Sequence, residues 1–309
     1  MKLISIVTGC FNEEENVGEL HAQIQAVFAE LPNYNYEIIF IDNASTDKTV
    51  EVLRNIAARD KRVKVIVNAR NFGSVRSGSH ALMNAFGDAV IGMASDLQDP
   101  PALIKDFVAK WEEGYKIVLA VKTASEESRI VYLLRTLYYQ TVKRLADIEL
   151  VPHSTGFGLY DKQVIDVFRE MDDPYPYFRG MLSEIGFESA KIPFTQPTRK
   201  RGITKNNFYT LYDLAMLGLT NHSKVPLRVA TMLGFAMSLL SLLAAFAYFI
   251  YKLIFWQSFP VGQAPIVIGL FLFSSVQLFF IGILGEYIGA IHTQVLHRPL
   301  VVEKERINF

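Results

Sequence analysis

Two long stretches in the last third of the chain, residues 229–251 and 264–285, contain no charged residue. As a helix, each is long enough to cross the roughly 30 Å hydrocarbon core of a bilayer. A buried helix of a soluble domain would satisfy the same composition, but two such runs in succession favour a membrane hairpin. Trp256, Pro260, Gly262 and Pro265 between them read as a turn with an interfacial aromatic. Lys224 and Arg228 precede the first run, and His297, Arg298, Lys304 and Arg306 follow the second; only Lys252 stands near the connection. This bias predicts an integral protein of the plasma or inner membrane, with both termini and the large N-terminal part in the cytosol.

The N-terminal two thirds mix charged and apolar residues as a soluble domain does. Lys+Arg and Asp+Glu both total 31, so net charge makes no case for nucleic acid. The single Cys10 excludes an internal disulfide and fits a reducing compartment. At the end of an apolar run, it reads as a packed thiol rather than a nucleophile. The run 3–7 is too short for a signal peptide and meets Asn12-Glu13-Glu14-Glu15 at once. Beyond it, strand and helix patterns alternate. Strands are expected at 3–9, 36–42, 63–67, 89–93 and 117–121, and helices at 16–31, 46–59, 75–85 and 101–111. A long helix over 128–146, strands at 154–160 and 188–194, and a helix at 162–169 follow. Such βα alternation implies an α/β fold, a mostly parallel sheet with helices on both faces. Residues 207–221 are apolar around much of a helix, and packing on the soluble domain competes evenly with lying in the membrane interface.

In a sheet of this kind, ligands bind beyond the C-terminal ends of the strands. Three such ends carry acids: Thr8-Gly9-Cys10-Phe11-Asn12-Glu13-Glu14, Asp42-Asn43-Ala44-Ser45-Thr46-Asp47 and Asp96-Leu97-Gln98-Asp99. No G-x-G-x-x-G or Walker sequence follows the first strand, which argues against a dinucleotide oxidoreductase and a P-loop enzyme. Acidic oxygens at strand ends suit ribose hydroxyls, a base edge and a hard divalent cation. Asp99 before Pro100 also fits a helix cap. Asp47 is expected to be structural, near the start of a helix, and Asp42 functional.

Phe11-Asn12-Glu13-Glu14-Glu15-Asn16, Asp42 through Asp47, Arg70-Asn71-Phe72-Gly73 and Asp96-Leu97-Gln98-Asp99-Pro100-Pro101 resemble the motifs of family 2 glycosyltransferases. The polyisoprenyl-phosphate subgroup, similar to dolichol-phosphate mannose synthase and the bactoprenol glucosyltransferases, is the nearest likeness. Trp111-Glu112-Glu113-Gly114-Tyr115, Gly156-Phe157-Gly158-Leu159-Tyr160, and the segment 199–205 followed by Pro226-Leu227-Arg228 fit the same group. The resemblance implies a GT-A fold, over residues 1–205, that inverts configuration as it transfers a hexose from a nucleotide diphosphate sugar to a polyisoprenyl phosphate. UDP-glucose and undecaprenyl phosphate are the first expectation. An interfacial helix at 206–224, a two-helix hairpin at 225–292 and a cytosolic tail at 293–309 complete the expected division. Carried over by motif position, Glu13 and Asp42 contact the nucleoside, with Arg70 on the nucleotide sugar. Asp96, with Gln98 beside it, binds Mg²⁺ or Mn²⁺, and Asp99 belongs to the same catalytic group.

Three departures stand out. The family's D-x-D begins here with Ala94, its paired aspartates are Asp42-Asn43, and glycines occupy Gly156 and Gly158, where some members carry an acid and an arginine. No base is named from that last motif. A phosphate monoester acceptor, with a second pKa near ~6, is already a nucleophile at neutral pH. It needs positioning and charge balance instead. Arg199, Arg201 and Lys205 crowd one short segment around Gly202 and are expected to bind acceptor or diphosphate; an anionic-lipid patch is the competing reading. Arg129 and Arg135 divide evenly between phosphate binding and surface solvation. The small intramembrane surface leaves room for a homo-oligomer. The rival functions are a processive polysaccharide synthase, disfavoured by two spans and the lack of a Q-x-x-R-W segment, and an inactive glycosyltransferase-like subunit, favoured only by Ala94.

Overall fold

The computed structural model describes residues 1–124, 151, 154–197, 216, 220, 223–255 and 263–309. Its frame is an eight-stranded sheet. The strands and helices alternate as β1 (Lys2–Cys10), α1 (Val17–Ala29), β2 (Tyr34–Asp42), α2 (Thr49–Arg59), β3 (Val63–Asn68), α3 (Ser74–Met83), β4 (Ala89–Ala94), α4 (Ile104–Glu112) and β5 (Ile117–Ala124). Then come β6 (Ser154–Asp161), α5 (Lys162–Met171), α6 (Phe178–Ile185), β7 (Ser189–Thr195), α7 (Val225–Ile254), α8 (Gln263–Val295) and β8 (Glu303–Ile307). The spatial order is β7-β5-β6-β4-β1-β2-β3-β8. β1 pairs in parallel with β2 and β4, as do β2 with β3 and β5 with β7; β6 and β8 run antiparallel to their neighbours.

The central strands are continuous apolar runs because both faces are covered. Along β2, Ile38 and Phe40 face one core with Leu20, Leu53 and Phe107, from α1, α2 and α4. Ile39 and Ile41 face the other with Leu82, Val164 and Leu182, from α3, α5 and α6. Each such side chain, fully buried, contributes about 1.5–3 kcal/mol relative to an exposed one. The α/β, mostly parallel expectation therefore holds, with helices on both faces.

Three elements differ from expectation. α2 begins at Thr49 rather than residue 46, because the Asp47 carboxylate takes the Thr49 N–H at 2.9 Å and Thr46 donates its N–H to Asn12 Oδ1 at 2.8 Å. α6 adds a helix to those expected; its Phe178 packs edge-on to Tyr160 and Phe168. The stretch 293–309 is no separate tail. α8 runs to Val295 and β8 closes the sheet on β3, with Glu305 opposite Val67. Asn308 Nδ2 donates to the Ala57 and Val63 carbonyls, and Arg54 pairs with Glu305.

α7 and α8 are both long and apolar enough to cross a membrane, and their most apolar windows are unburied. Tyr287 of α8 donates to the Ser223 carbonyl just before α7, and Gln294 donates to Asp173 beside α5. The expected helix at 128–146 and the turn residues Trp256, Pro260 and Gly262 lie outside the described residues. So does most of 207–221, where Met216 and Thr220 are helical and joined by a hydroxyl-to-carbonyl bond.

Candidate active site

Each of the three acidic strand ends leaves its strand through a non-glycine residue with positive φ: Asn12 after β1, Ala44 after β2 and Leu97 after β4. Left-handed backbone at such residues is uncommon and persists where neighbouring bonds enforce it. Those bonds are side-chain carboxylates and amides. Asn12 receives the Thr46 N–H, tying the first loop to the second. Asp42 takes the Ser45 N–H at 2.9 Å and the Ser45 hydroxyl. Asp99 takes the Ala94 N–H at 2.8 Å, closing the third loop back onto β4, and Asp96 takes the Gln98 N–H at 3.2 Å.

The three loops open into a cleft of about 590 Å³, lined by Glu13, Asn43, Asp96, Gln98 and Asp99 together with Ser77 and Tyr177. Asp96 and Gln98 are partly exposed to it, while Asp99 is nearly covered. Burial pushes the Asp99 carboxyl up to about 6; the Ala94 N–H works against this, the Asp96 charge adds to it, and Lys122 opposes. Asp99 does not cap a helix, as its place before Pro100 allows: it is folded inward onto β4, and Pro101 opens the short turn before α4. Gln98 donates from Nε2 to the Pro197 carbonyl at 3.3 Å. That bond brings the chain to this loop two residues ahead of Arg199.

The other site candidates separate clearly. Glu13 is buried, accepts from Asn16 Nδ2 and lines the cleft. Asp42 is fully buried, and desolvation raises its carboxyl against the Ser45 hydrogen bonds. Its neighbour Asn43 lines the cleft instead, and accepts from the Phe72 N–H at 2.9 Å while donating to Asn71 Oδ1 at 2.8 Å. Asp47 is structural: burial raises its carboxyl, but the Thr49 hydroxyl and N–H and the Glu14 N–H outweigh that, and the net shift is downward. Arg70 lies outside the cleft lining, its guanidinium 4.0 Å from the Phe72 ring centroid. Cys10 is buried, and desolvation, with Asp42 and Glu13 nearby, pushes its thiol up, so it stays protonated. Arg129, Arg135, Arg199, Arg201 and Lys205 lie outside the described residues.

Asn43 and the first turn of α3 were not singled out by the sequence, although Asn71-Phe72-Gly73 signals a turn. Gly73, with φ +84°, lets the chain enter α3 beside the cleft. On β6, a Cβ on Gly158 would lie 2.3 Å from the Val118 carbonyl, and Gly156 has φ +89°. Phe157 between them is core, edge-on to Phe107 at 4.8 Å. The Trp111 motif is also structural: its indole donates to Asp161 at 2.8 Å.

Every candidate metal donor at the third loop is an oxygen, which suits Mg²⁺ or Mn²⁺. No trio of His, Cys, Asp or Glu forms a closed cage among the described residues. Few protein ligands fit an ion held largely by substrate phosphates and water.

Residues 5–168 match the profile of Glycosyl transferase family 2, and residues 225–291 match that of the GtrB C-terminal hairpin. The chain is 33% identical over 298 residues to the uncharacterized glycosyltransferase sll0501 of Synechocystis sp., covering 96% of this chain and 93% of that one. It is 32% identical over 303 residues to the bactoprenol glucosyl transferase of Shigella phage SfV, covering 97% and 98%. Among solved structures, the mannosyltransferase of Pyrobaculum calidifontis in complex with GDP-Man and Mn²⁺ overlaps 94% of this chain and 86% of its own at a TM-score of 0.47 and 15% identity. The bactoprenol glucosyl transferase likeness and the hairpin match do not favour the processive-synthase or inactive-subunit reading.

Proposed function

The chain belongs to glycosyl transferase family 2 and is a glycosyltransferase, and from that premise we propose that it moves glucose from UDP-glucose to a polyisoprenyl phosphate at the cytosolic face of a membrane. The observation that carries this reading is end-to-end similarity to a bactoprenol glucosyl transferase, with the helical hairpin included. The 27-residue apolar stretches of α7 and α8 would anchor the enzyme where such a lipid resides.

In this reading the nucleoside diphosphate lies in the cleft, against Glu13 and Asn43. Asp42 acts through the turn it braces rather than by contact. Asp96, with Gln98 beside it, would hold the divalent cation, which when bound offsets charge growing on the leaving diphosphate. Asp99 fixes the loop that presents Asp96. The acceptor phosphate, largely dianionic because its second pKa is near ~6, needs no base from the protein. It attacks the anomeric carbon from the side opposite the diphosphate and inverts configuration. Arg199, Arg201 and Lys205, with Arg129 and Arg135, would balance its charge. The Gln98–Pro197 bond supports the first three, since it holds the chain at the acidic loop two residues before Arg199.

The test is transfer by purified protein in liposomes, using radiolabelled UDP-glucose and undecaprenyl phosphate with and without Mg²⁺ or Mn²⁺. A labelled glycolipid that depends on the ion is expected. Product from another donor only would replace the sugar and keep the reaction. No product from any donor would overturn the reading.

A further inference from the structure

Two guanidinium groups share one ring where α8 hands over to the catalytic sheet, and the charge of Arg298 acts on the second of them. Arg70 and Arg76 both lie over the Phe72 ring, 4.0 and 5.3 Å from its centroid. Arg76 donates from Nη2 to the Pro299 carbonyl at 2.7 Å, which holds the step after Arg298 against α3. Its Nε is buried and has no hydrogen-bond partner. Among the described residues, none of the three is ion-paired with a carboxylate. The acids of the adjoining strand are engaged elsewhere, Glu303 with His80 and Arg306, and Glu305 with Arg54. Burial, then the charge of Arg70, lowers the pKa of Arg76 from its ordinary value; Tyr175 opposes this and Arg298 adds to it.

Like charges gathered on partly buried ground are costly until an anion joins them. A buried guanidinium N–H without a partner calls for an explanation, and an acceptor oxygen supplied by a ligand is one. The position of the cluster narrows the choice. Ser74 and Val75, directly before Arg76, line the cleft, as do Pro176 and Tyr177, directly after Tyr175. Arg298 follows the end of α8, whose Gln294 is bonded to Asp173. Arg76 therefore directly follows cleft-lining residues, and Arg298 directly follows the apolar hairpin. Three positive charges match a phosphate monoester dianion better than the single charge of a phosphodiester headgroup.

We propose that Arg70, Arg76 and Arg298 form a docking site for the phosphate monoester of the lipid acceptor as it enters the cleft from the bilayer. This rests on the reading of the protein as a membrane-anchored enzyme with a lipid phosphate acceptor. It adds to the loop arginines a site built on α3 and on the chain after the hairpin.

The test uses full-length protein in detergent free of phospholipid, with farnesyl phosphate as probe and calorimetric binding as readout, so that turnover is not needed. Arg298 is exposed, so Arg298→Gln preserves the fold; Arg76→Lys keeps a charge and loses the planar fork. Both variants are expected to bind farnesyl phosphate roughly tenfold or more weakly, with UDP-glucose binding within about twofold of the parent and, for Arg298→Gln, an unchanged thermal midpoint. Failure of the parent to bind farnesyl phosphate, or equal binding by parent and variants, overturns the site. A second arm uses phosphatidylglycerol vesicles without prenyl phosphate. Variants that lose vesicle binding yet keep farnesyl phosphate would assign the arginines to bulk headgroups and overturn the acceptor site. Binding through these arginines without sugar transfer from any donor would sink the functional reading and leave the site standing.

Discussion

Asp96 and Asp99 share one loop and differ in their access to solvent. Asp99 is turned inward onto the Ala94 N–H, and Asp96 faces the cleft. Asp96→Asn is therefore expected to abolish transfer while leaving the thermal midpoint in place; near-normal turnover would remove Asp96 from the chemistry. Far from the cleft, Asp60 joins α1 to the end of α2 by accepting from His21, Gln25 and Arg62. The Arg62 hydrogen bonds hold its carboxyl well below the usual range; burial opposes them, and His21 adds to them. A depressed carboxyl stabilises the fold above its ordinary pKa and loses that contribution as pH falls through and below it. Asp60→Asn is expected to cost about 1–2 kcal/mol at pH 7 and progressively less below about pH 4. Urea midpoints at both pH values decide it, and an equal loss at each would refute the assignment. Residue roles were partly legible. Asp47 reads correctly as structural because helix starts recruit short acids. Asp42 was expected to be functional, and it is buried while its neighbour Asn43 lines the cleft, a difference in depth that no local pattern announces. Ala44 and Leu97 give no sign of their left-handed backbone, since that conformation is imposed by bonds from residues distant in sequence or on the far side of the turn.

Among the elements, the central strands and their covering helices were legible because apolar runs and 3.6-residue periodicity are local signals. β8 was not. Glu303-Lys304-Glu305-Arg306 reads as a solvated charged run, and only β3, more than 230 residues earlier, supplies its backbone partners. Charge is what an edge strand carries to discourage further pairing. Ending the chain after Val301 is expected to cost about 2–4 kcal/mol and to bare β3, so that the protein melts earlier and associates in detergent. Calorimetry and size-exclusion chromatography read the two effects. An unchanged midpoint with a monomeric profile would show that β8 adds nothing. The glycines around Phe157 teach the same lesson. Their sequence position resembles that of catalytic groups elsewhere, yet Gly158 is required by the approach of the Val118 carbonyl, a neighbour on another strand.

At the scale of the molecule, parallel pairing of β4, β1 and β2 brings their C-terminal ends to one edge, and the cleft follows from that topology. The positive-inside pattern predicts that this edge and both termini face the cytosol. A cysteine introduced at Gln257, between α7 and α8, should then react with an impermeant maleimide from outside intact cells, whereas one at Val302 should not. The single native Cys10 is buried and gives little background. The reverse labelling would invert the topology and separate the cleft from cytosolic nucleotide sugar. The pairing of β8 with β3 also sets an order of assembly. In the order of synthesis, the sheet receives its last strand only after both long helices have left the ribosome. Until that strand emerges, β3 keeps an open edge, so a nascent chain stalled within the hairpin holds an incomplete domain. Completion of the sheet thus reports, within a single chain, that both long helices have been made.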